Sequence, residues 1–297
     1  MSFFQKKIII RLQGGLGNQL YCYATARALS LKTNKELLID ARPIKGEGPN
    51  RQYDLSVFNI KEKHVSGLTC WITRWVASVR LGKLFKVLFP LAWNFKIIRD
   101  KEEGFDASLS NPYGGTIILQ GYWQSFKYFD NEDKILKKEL TIKNEPDAIN
   151  KNWIAELHKE ESVALHVRRG DYVNNPTANA IHGTCTPEYY NNAIKLILEK
   201  VNNPSFYIFT DDPEWAENNI SIPSPTKVIK HNLGKNDYED LRLMFHCKHF
   251  IIANSSFSWW GAWLSNNPSK IVIAPSKWFS IDSIPSEDRI PSSWLRL

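Results

Sequence analysis

Lys7-Ile8-Ile9-Ile10-Arg11-Leu12 runs directly into Gln13-Gly14-Gly15-Leu16-Gly17, and an apolar stretch from residue 20 to 31 follows before Leu37-Leu38-Ile39-Asp40. The unbroken isoleucine run predicts a buried strand, the glycines a tight turn, and the longer apolar stretch a helix that leads into a second strand. This is the pattern of a βαβ unit. Leu20 stands where a dinucleotide-binding GxGxxG turn needs its third glycine, so that fingerprint is a poor match. Asn18 and Gln19 instead place two amides at the start of the helix.

The second half repeats the alternation. Apolar strands are predicted at residues 163–167, 206–209, 227–229, 250–252 and 271–273, with helical stretches between them, which implies a doubly wound parallel sheet. Thr186-Pro187-Glu188 and Asp212-Pro213-Glu214 each set a capping residue before a proline at the first helical position. The strand-to-helix switches then fall at residues 168–171, 211–212, 231–232 and 254–256, all on one edge of the sheet. A polar connector at 137–159, broken by Pro146 and including a helix around Trp153 and Leu157, puts the domain boundary near Glu160, giving domains 1–160 and 161–297. No internal repeat or low-complexity segment appears.

On that edge lies Leu165-His166-Val167-Arg168-Arg169-Gly170-Asp171-Tyr172. Ligands bind at the C-terminal edge of parallel sheets. Arg168 and Arg169 suit a phosphate ester, because each planar guanidinium can donate two parallel hydrogen bonds and neither loses its charge near neutral pH. An ion-pair network at a domain boundary is the structural alternative, and the cost of burying unpaired charge argues against it. Asp171 is placed to take a proton nearby. His166 alternates with Arg168 on one strand face, where a satisfied core histidine is the first reading and ligand contact the second.

Ala253-Asn254-Ser255-Ser256-Phe257-Ser258-Trp259-Trp260-Gly261-Ala262-Trp263 follows a strand and opens a helix, so its hydroxyls and free N–H groups make an anion cradle or plain caps. The tryptophans read mainly as core. No nucleophile elbow GxSxG accompanies Ser256. Asp212 is accounted for as a cap, DxD spacing is absent, and no metal is expected. Asp211 is then available to accept hydrogen bonds from a purine or ribose, or is simply a second solvated acid. Gly121-Tyr122-Trp123-Gln124-Ser125-Phe126-Lys127-Tyr128-Phe129 combines rings with an amide, as carbohydrate surfaces do, or as an aromatic hinge would.

The 297 residues are 43% hydrophobic and carry a net charge of +7. An excess of base favours an anionic partner, which by charge alone is a nucleotide, a nucleic acid or an acidic membrane face. Cys22, Cys70, Cys185 and Cys247 form no CxxC pair, so reduced thiols are expected. The first ten residues lack the hydrophobic core of a signal peptide, and the chain is expected to start directly in its fold, in the cytoplasm. Residues 64–99 contain no Asp or Glu, while Arg74, Arg80, Lys83, Lys86, Lys96 and Arg99 are interleaved with Trp71, Trp75, Phe85, Phe89 and Trp93. A helix pair packed on its own domain and peripheral attachment to the inner face of the plasma membrane are equal readings of that segment.

Five of these motifs occur in one order: Gln13-Gly14-Gly15-Leu16-Gly17-Asn18-Gln19-Leu20-Tyr21, Gly121-Tyr122-Trp123-Gln124-Ser125, His166-Val167-Arg168-Arg169-Gly170-Asp171-Tyr172, Thr210-Asp211-Asp212 and Asn254-Ser255-Ser256-Phe257-Ser258-Trp259-Trp260. Together they resemble the bacterial α-1,2-fucosyltransferases of glycosyltransferase family eleven, with Tyr21 where Phe is more usual. The resemblance implies a GT-B fold, two Rossmann-like domains facing across a cleft, the first on the acceptor side and the second binding nucleotide sugar. It further implies inverting, metal-independent transfer of L-fucose from GDP-β-L-fucose to the 2-hydroxyl of a terminal β-galactoside on an oligosaccharide or lipid-linked glycan, in O-antigen synthesis, without a cofactor or nucleic acid.

Under that resemblance Arg168 and Arg169 stabilise the leaving pyrophosphate. Asn18, Gln19, His166, Asp211, Asn254, Ser255 and Ser256 bind the donor, while Tyr122, Trp123 and Gln124 meet the acceptor. Asp171 is the candidate general base. A GT-B transferase of another nucleotide sugar, and a non-catalytic basic protein binding nucleic acid or membrane, are the competing readings.

Overall fold

The strand at Lys7–Arg11 (β1) buries all three isoleucines and feeds an 18-residue helix, Leu16–Thr33 (α1), that is buried along most of its length. In the computed structural model, residues 6–46, 51–78, 83, 85, 87, 89–101, 104–110, 112, 114–170, 173, 176–232, 234–281 and 284–297 are described. Gly15 leaves the first turn of α1 without a side-chain cap, and Asn34, at φ 50°, closes the helix in the left-handed region that Asn tolerates.

The chain forms two units, Met1–Thr141 with Glu287–Arg289, and Ile142–Ser286 with Ile290–Leu297. In the first, β2 (Glu36–Asp40), β3 (Phe95–Arg99) and β4 (Thr116–Gln120) join β1 in the order β2-β1-β4-β3, every pair parallel. Helices α2 (Gly67–Val76) and α3 (Asp133–Glu139) accompany them.

The second unit holds α4 (Ala148–Lys159), β5 (Glu161–Val167), α5 (Pro176–His182), α6 (Pro187–Lys200), β6 (Pro204–Thr210), α7 (Pro213–Asn219), β7 (Thr226–Ile229), α8 (Asp237–His246), β8 (His249–Ile251), α9 (Ser256–Leu264), β9 (Val272–Ala274) and β10 (Leu295–Arg296). Its sheet, also parallel, has the order β10-β9-β8-β5-β6-β7. Thr186 and Asp212 cap α6 and α7 ahead of their prolines, as expected.

In the first sheet β2 and β4 flank β1, the chain crossing from β2 to the edge strand β3 before β4 fills the place between β3 and β1. The second sheet reverses its winding once, growing from β5 to β6 and β7 on one side and then through β8, β9 and β10 on the other. Loops after the two strands at such a reversal part and leave a crevice outside the carboxyl ends. The glycine loop follows β1 and Gly121–Gln124 follow β4. Likewise Arg168 follows β5 and Asn254 follows β8. Four separated motifs thus come together in pairs, each pair at the carboxyl ends of two neighbouring strands, β1 with β4 in the first unit and β5 with β8 at the switch point of the second.

Two expectations are corrected. The units divide at Thr141/Ile142 rather than near Glu160, because α4 packs with the second sheet: Trp153 stacks on His231, Asn150 bonds Asn232, and Tyr207 donates to Glu156 and Glu160. Residues 64–99 are not a helix pair throughout, since they end in β3, the edge strand. Within the segment Ile72, Val76, Phe85 and Ala92 close over Ile9, Leu38 and Ile118, so the packing reading describes that face.

Candidate active site

At the second unit's switch point the two arginines do not form the twin fork expected of them. Arg168 Nη1 meets Asp211 Oδ2 at 2.9 Å, whereas Arg169 Nε meets Asp212 Oδ2 at 3.2 Å with its guanidinium carbon 4.1 Å from the Trp215 ring centre. Asp211 Oδ1 also accepts from the Arg169 amide at 2.9 Å, so both its oxygens serve the arginine loop. A β-carbon on Gly170 would lie 2.8 Å from Asp211 Oδ2, and glycine keeps that contact open. Asp212 Oδ1 caps α7 by accepting from the Trp215 amide, while Oδ2 of the same carboxylate holds Arg169. Arg169 is therefore a strut tied to α7, and Arg168 is the guanidinium held at the strand end.

His166 is buried beside Phe257, 5.8 Å between ring centres, and Nδ1 has no partner among the described residues. It is not the satisfied core histidine of the first reading. Burial drives its pKa down to about 3, with the Asp211 charge opposing, so the ring is neutral near pH 7. In the unfolded chain a histidine titrates near 6.5, so only the unfolded state takes up this proton between those values. The stability it confers is full above pH 6.5 and is lost as pH falls toward 3. Replacing His166 by Gln is expected to flatten the pH dependence of unfolding by about one proton, about 1.4 kcal/mol per pH unit, between pH 6 and 4. Denaturant melts at each pH measure this, and an unchanged slope would refute it. Asp240, raised to about 7 by burial, has the opposite sign, stabilising most below pH 3.8 and losing that contribution as pH climbs to 7.

The Asn254 amide is spent on structure, donating to the carbonyls of His182 (2.8 Å), Gly183 and Trp278 (both 3.3 Å), so it ties two loops beneath α9. Ser255 Oγ accepts from the Phe257 amide as the cap of α9. Ser256, half-buried at the first helical position, is the hydroxyl of this run placed at the helix N-terminus. Trp259, Trp260 and Trp263 pack with Trp294 in the core, as read.

In the first unit Gly14, at φ +69°, lets the Asn18 side chain lie across the turn, where a β-carbon would come 2.5 Å from Asn18 Nδ2. Asn18 Oδ1 accepts from Gln124 Nε2 at 2.6 Å, and Gln124 Oε1 accepts from Arg289 Nη1. The motifs after β1 and β4 are thus directly bonded, and Gln124 is their link. Gln19 is fully buried and clamps the glycine loop, donating to the carbonyls of Gly14 and Gln52 and accepting from the Asp54 amide. Trp123 is buried at φ +55°, its amide held by Asp100 Oδ2 at 2.7 Å, while Tyr122 is half-buried.

Asp171 lies outside the described residues. Sequence reasoning missed Trp215 beneath Arg169, Arg289 behind Gln124, and Asp237, whose pKa is raised by partial desolvation against the pull of Arg168. Asp237 looks like any acid in the first turn of a helix, and Arg289 sits in a segment whose own pattern announces nothing. Among the described residues no group of three or more His, Cys, Asp or Glu is arranged to hold a metal ion.

The fold is of GT-B type, and solved fucosyltransferases share it. The NodZ α-1,6-fucosyltransferase soaked with GDP-fucose superposes with a TM-score of 0.53 at 14% identity, covering 91% of this chain and 95% of that one. An Arabidopsis thaliana FUT1 mutant in complex with GDP gives 0.56 at 13% identity, covering 98% and 76%. In sequence, the profile of glycosyl transferase family 11 matches residues 76–296. An Escherichia coli α-1,2-colitosyltransferase is 34% identical over 98% of both chains. The O-antigen biosynthesis glycosyltransferase WbnK of Escherichia coli is 31% identical over 91% of this chain and 94% of its own. The chain belongs to glycosyltransferase family 11.

Proposed function

We propose that this glycosyltransferase moves L-fucose from GDP-β-L-fucose to the 2-hydroxyl of a terminal β-galactoside, with inversion to an α-1,2 linkage, in O-antigen synthesis. The observation that carries the reading is Arg168, held by Asp211 at the β5 end of the switch point whose other strand, β8, leads into α9. As the sugar leaves, negative charge grows on the pyrophosphate. A fixed guanidinium and a helix N-terminus stabilise it without having to reorganise. Asp211 and Asp212 set the arginines rather than reading the base, and His166 keeps a buried, unpartnered ring nitrogen beside them. Asn18, fixed by Gln124, is assigned to donor binding. Asp171 takes the proton from the acceptor hydroxyl.

A colitosyl donor is the second reading, favoured by the 34% identity to the α-1,2-colitosyltransferase. The deciding experiment measures GDP release and product from GDP-fucose and GDP-colitose, each with and without lactose, N-acetyllactosamine and galactosyl-N-acetylgalactosamine. Acceptor-dependent turnover of GDP-fucose supports the proposal; turnover of GDP-colitose alone transfers it to the second reading, and turnover of neither refutes both. Activity is expected to persist in EDTA, because the charge that a divalent ion would neutralise is met by Arg168 and α9. Complete loss on chelation, reversed by adding metal, would overturn this and bring Asp211 and Asp212 back as ligands.

A further inference from the structure

The described residues of 64–99 are only partly spent on the fold. Ile72, Val76, Phe85 and Ala92 are buried against the first sheet, yet Trp93 is 67% exposed, Val87 68% and Leu91 53%, with Leu68, Trp71 and Phe89 exposed beside them in sequence. Soluble surfaces rarely concentrate large apolar side chains in this way without a partner. Two of the exposed rings are already held, since Trp71 meets Phe89 edge-on at 5.1 Å and both pack on the buried Phe85, so these two have little side-chain freedom left to lose on docking.

Arg74, Lys83, Lys96 and Arg99 are exposed in the same segment, which contains no acidic residue. Tryptophan with Lys and Arg is the composition that settles at the headgroup level of a bilayer. No helix among the described residues is long and apolar enough to cross a membrane, so this would be contact with a surface. A second copy of the chain is the poorer occupant, because a two-fold interface would set these cations against their own copies.

We propose that this exposed face docks the protein on an anionic phospholipid surface. Leu91 and Trp93 enter the headgroup region while Arg74, Lys83 and Lys96 pair with lipid phosphates. The inference holds for either sugar donor, and its failure would leave the transfer chemistry untouched.

The full chain, with Leu91→Ser/Trp93→Ser and Lys83→Glu/Lys96→Glu variants, is sedimented with vesicles of phosphatidylglycerol and phosphatidylcholine in equal parts, and with pure phosphatidylcholine. Binding to the mixed vesicles is expected at low salt and should weaken as salt rises, because charge attraction is screened over ~8 Å at physiological ionic strength. Each double variant should bind about tenfold more weakly. Since the four residues are exposed, melting temperature and turnover on a soluble galactoside should not change. No binding at low salt, or equal binding by the variants, would overturn the proposal. So would a dimer seen by light scattering that the Leu91/Trp93 variant dissolves, because the face would then belong to a second copy.

Discussion

Replacing Arg168 by alanine is expected to cut transfer from GDP-fucose by about 10²–10³-fold, the cost of removing one preorganised charge donor from a leaving group. The loss should fall on turnover rather than on folding. Arg168 bridges to Asp211, an exposed carboxylate that water can serve when the guanidinium is gone. Arg168→Lys keeps the charge but loses the fork, so it should recover part of the rate. Arg169→Ala makes the contrast: it strips the Trp215 face and leaves half of the α7 capping carboxylate unmatched, so melting temperature should fall more and rate less. Turnover and thermal melts on the three variants separate the roles. A folded Arg168→Ala enzyme with near-normal turnover would refute the phosphate assignment.

Asp171→Asn is expected to lower transfer by roughly 10²–10⁴-fold while GDP affinity stays close to that of the parent. The side chain keeps its size and most of its hydrogen bonding but cannot accept a proton. The basis is position, two residues past Arg169 and one past a glycine that keeps the loop against Asp211. If Asp171 served only to orient an arginine, GDP affinity would fall with the rate, and calorimetry beside the transfer assay distinguishes the cases. Retained transfer in Asp171→Asn would exclude both roles.

Parallel strands declare themselves where burial on both faces demands unbroken aliphatic runs. That is why Ile8–Ile10 and the strands from β5 to β9 were legible, together with the Pro-marked starts of α6 and α7. β3 escaped because it lies at a sheet edge, and its Lys96 and Arg99 made it look like the end of a basic helix. α4 was read as connector because its polar surface outweighs its few buried side chains, Asn150 and Leu157, and only Trp153 and Asn150 reaching to His231 and Asn232 show which unit owns it.

At the site, the residue types were legible and their duties were not. Arg168 and Arg169 are the same residue type, and adjacent positions just past the end of β5 send them to different partners, Asp211 and Asp212. Gln19 and Asn254 have the chemistry of ligand binders, yet each is used to hold backbone carbonyls, a task no local pattern distinguishes from binding. The pairing of Asn18 with Gln124 depends on β1 lying next to β4, a long-range contact that spacing along the chain does not encode.

Asp288 and Arg289 complete loops of the first unit that lie more than 150 residues earlier in the chain. Asp288 accepts from the Phe105 amide and the Ser125 hydroxyl and pairs with Lys127, and Arg289 holds Gln124. On the ribosome, at about 5–20 residues per second, the roughly 150 residues separating Thr141 from Glu287 take about 7–30 s to appear. For that interval the first sheet can form while its Gly121–Lys127 loop waits for its closing contacts. A message truncated before codon 287 would encode most of both sheets and leave the first unit's Gly121–Lys127 loop without these closing contacts.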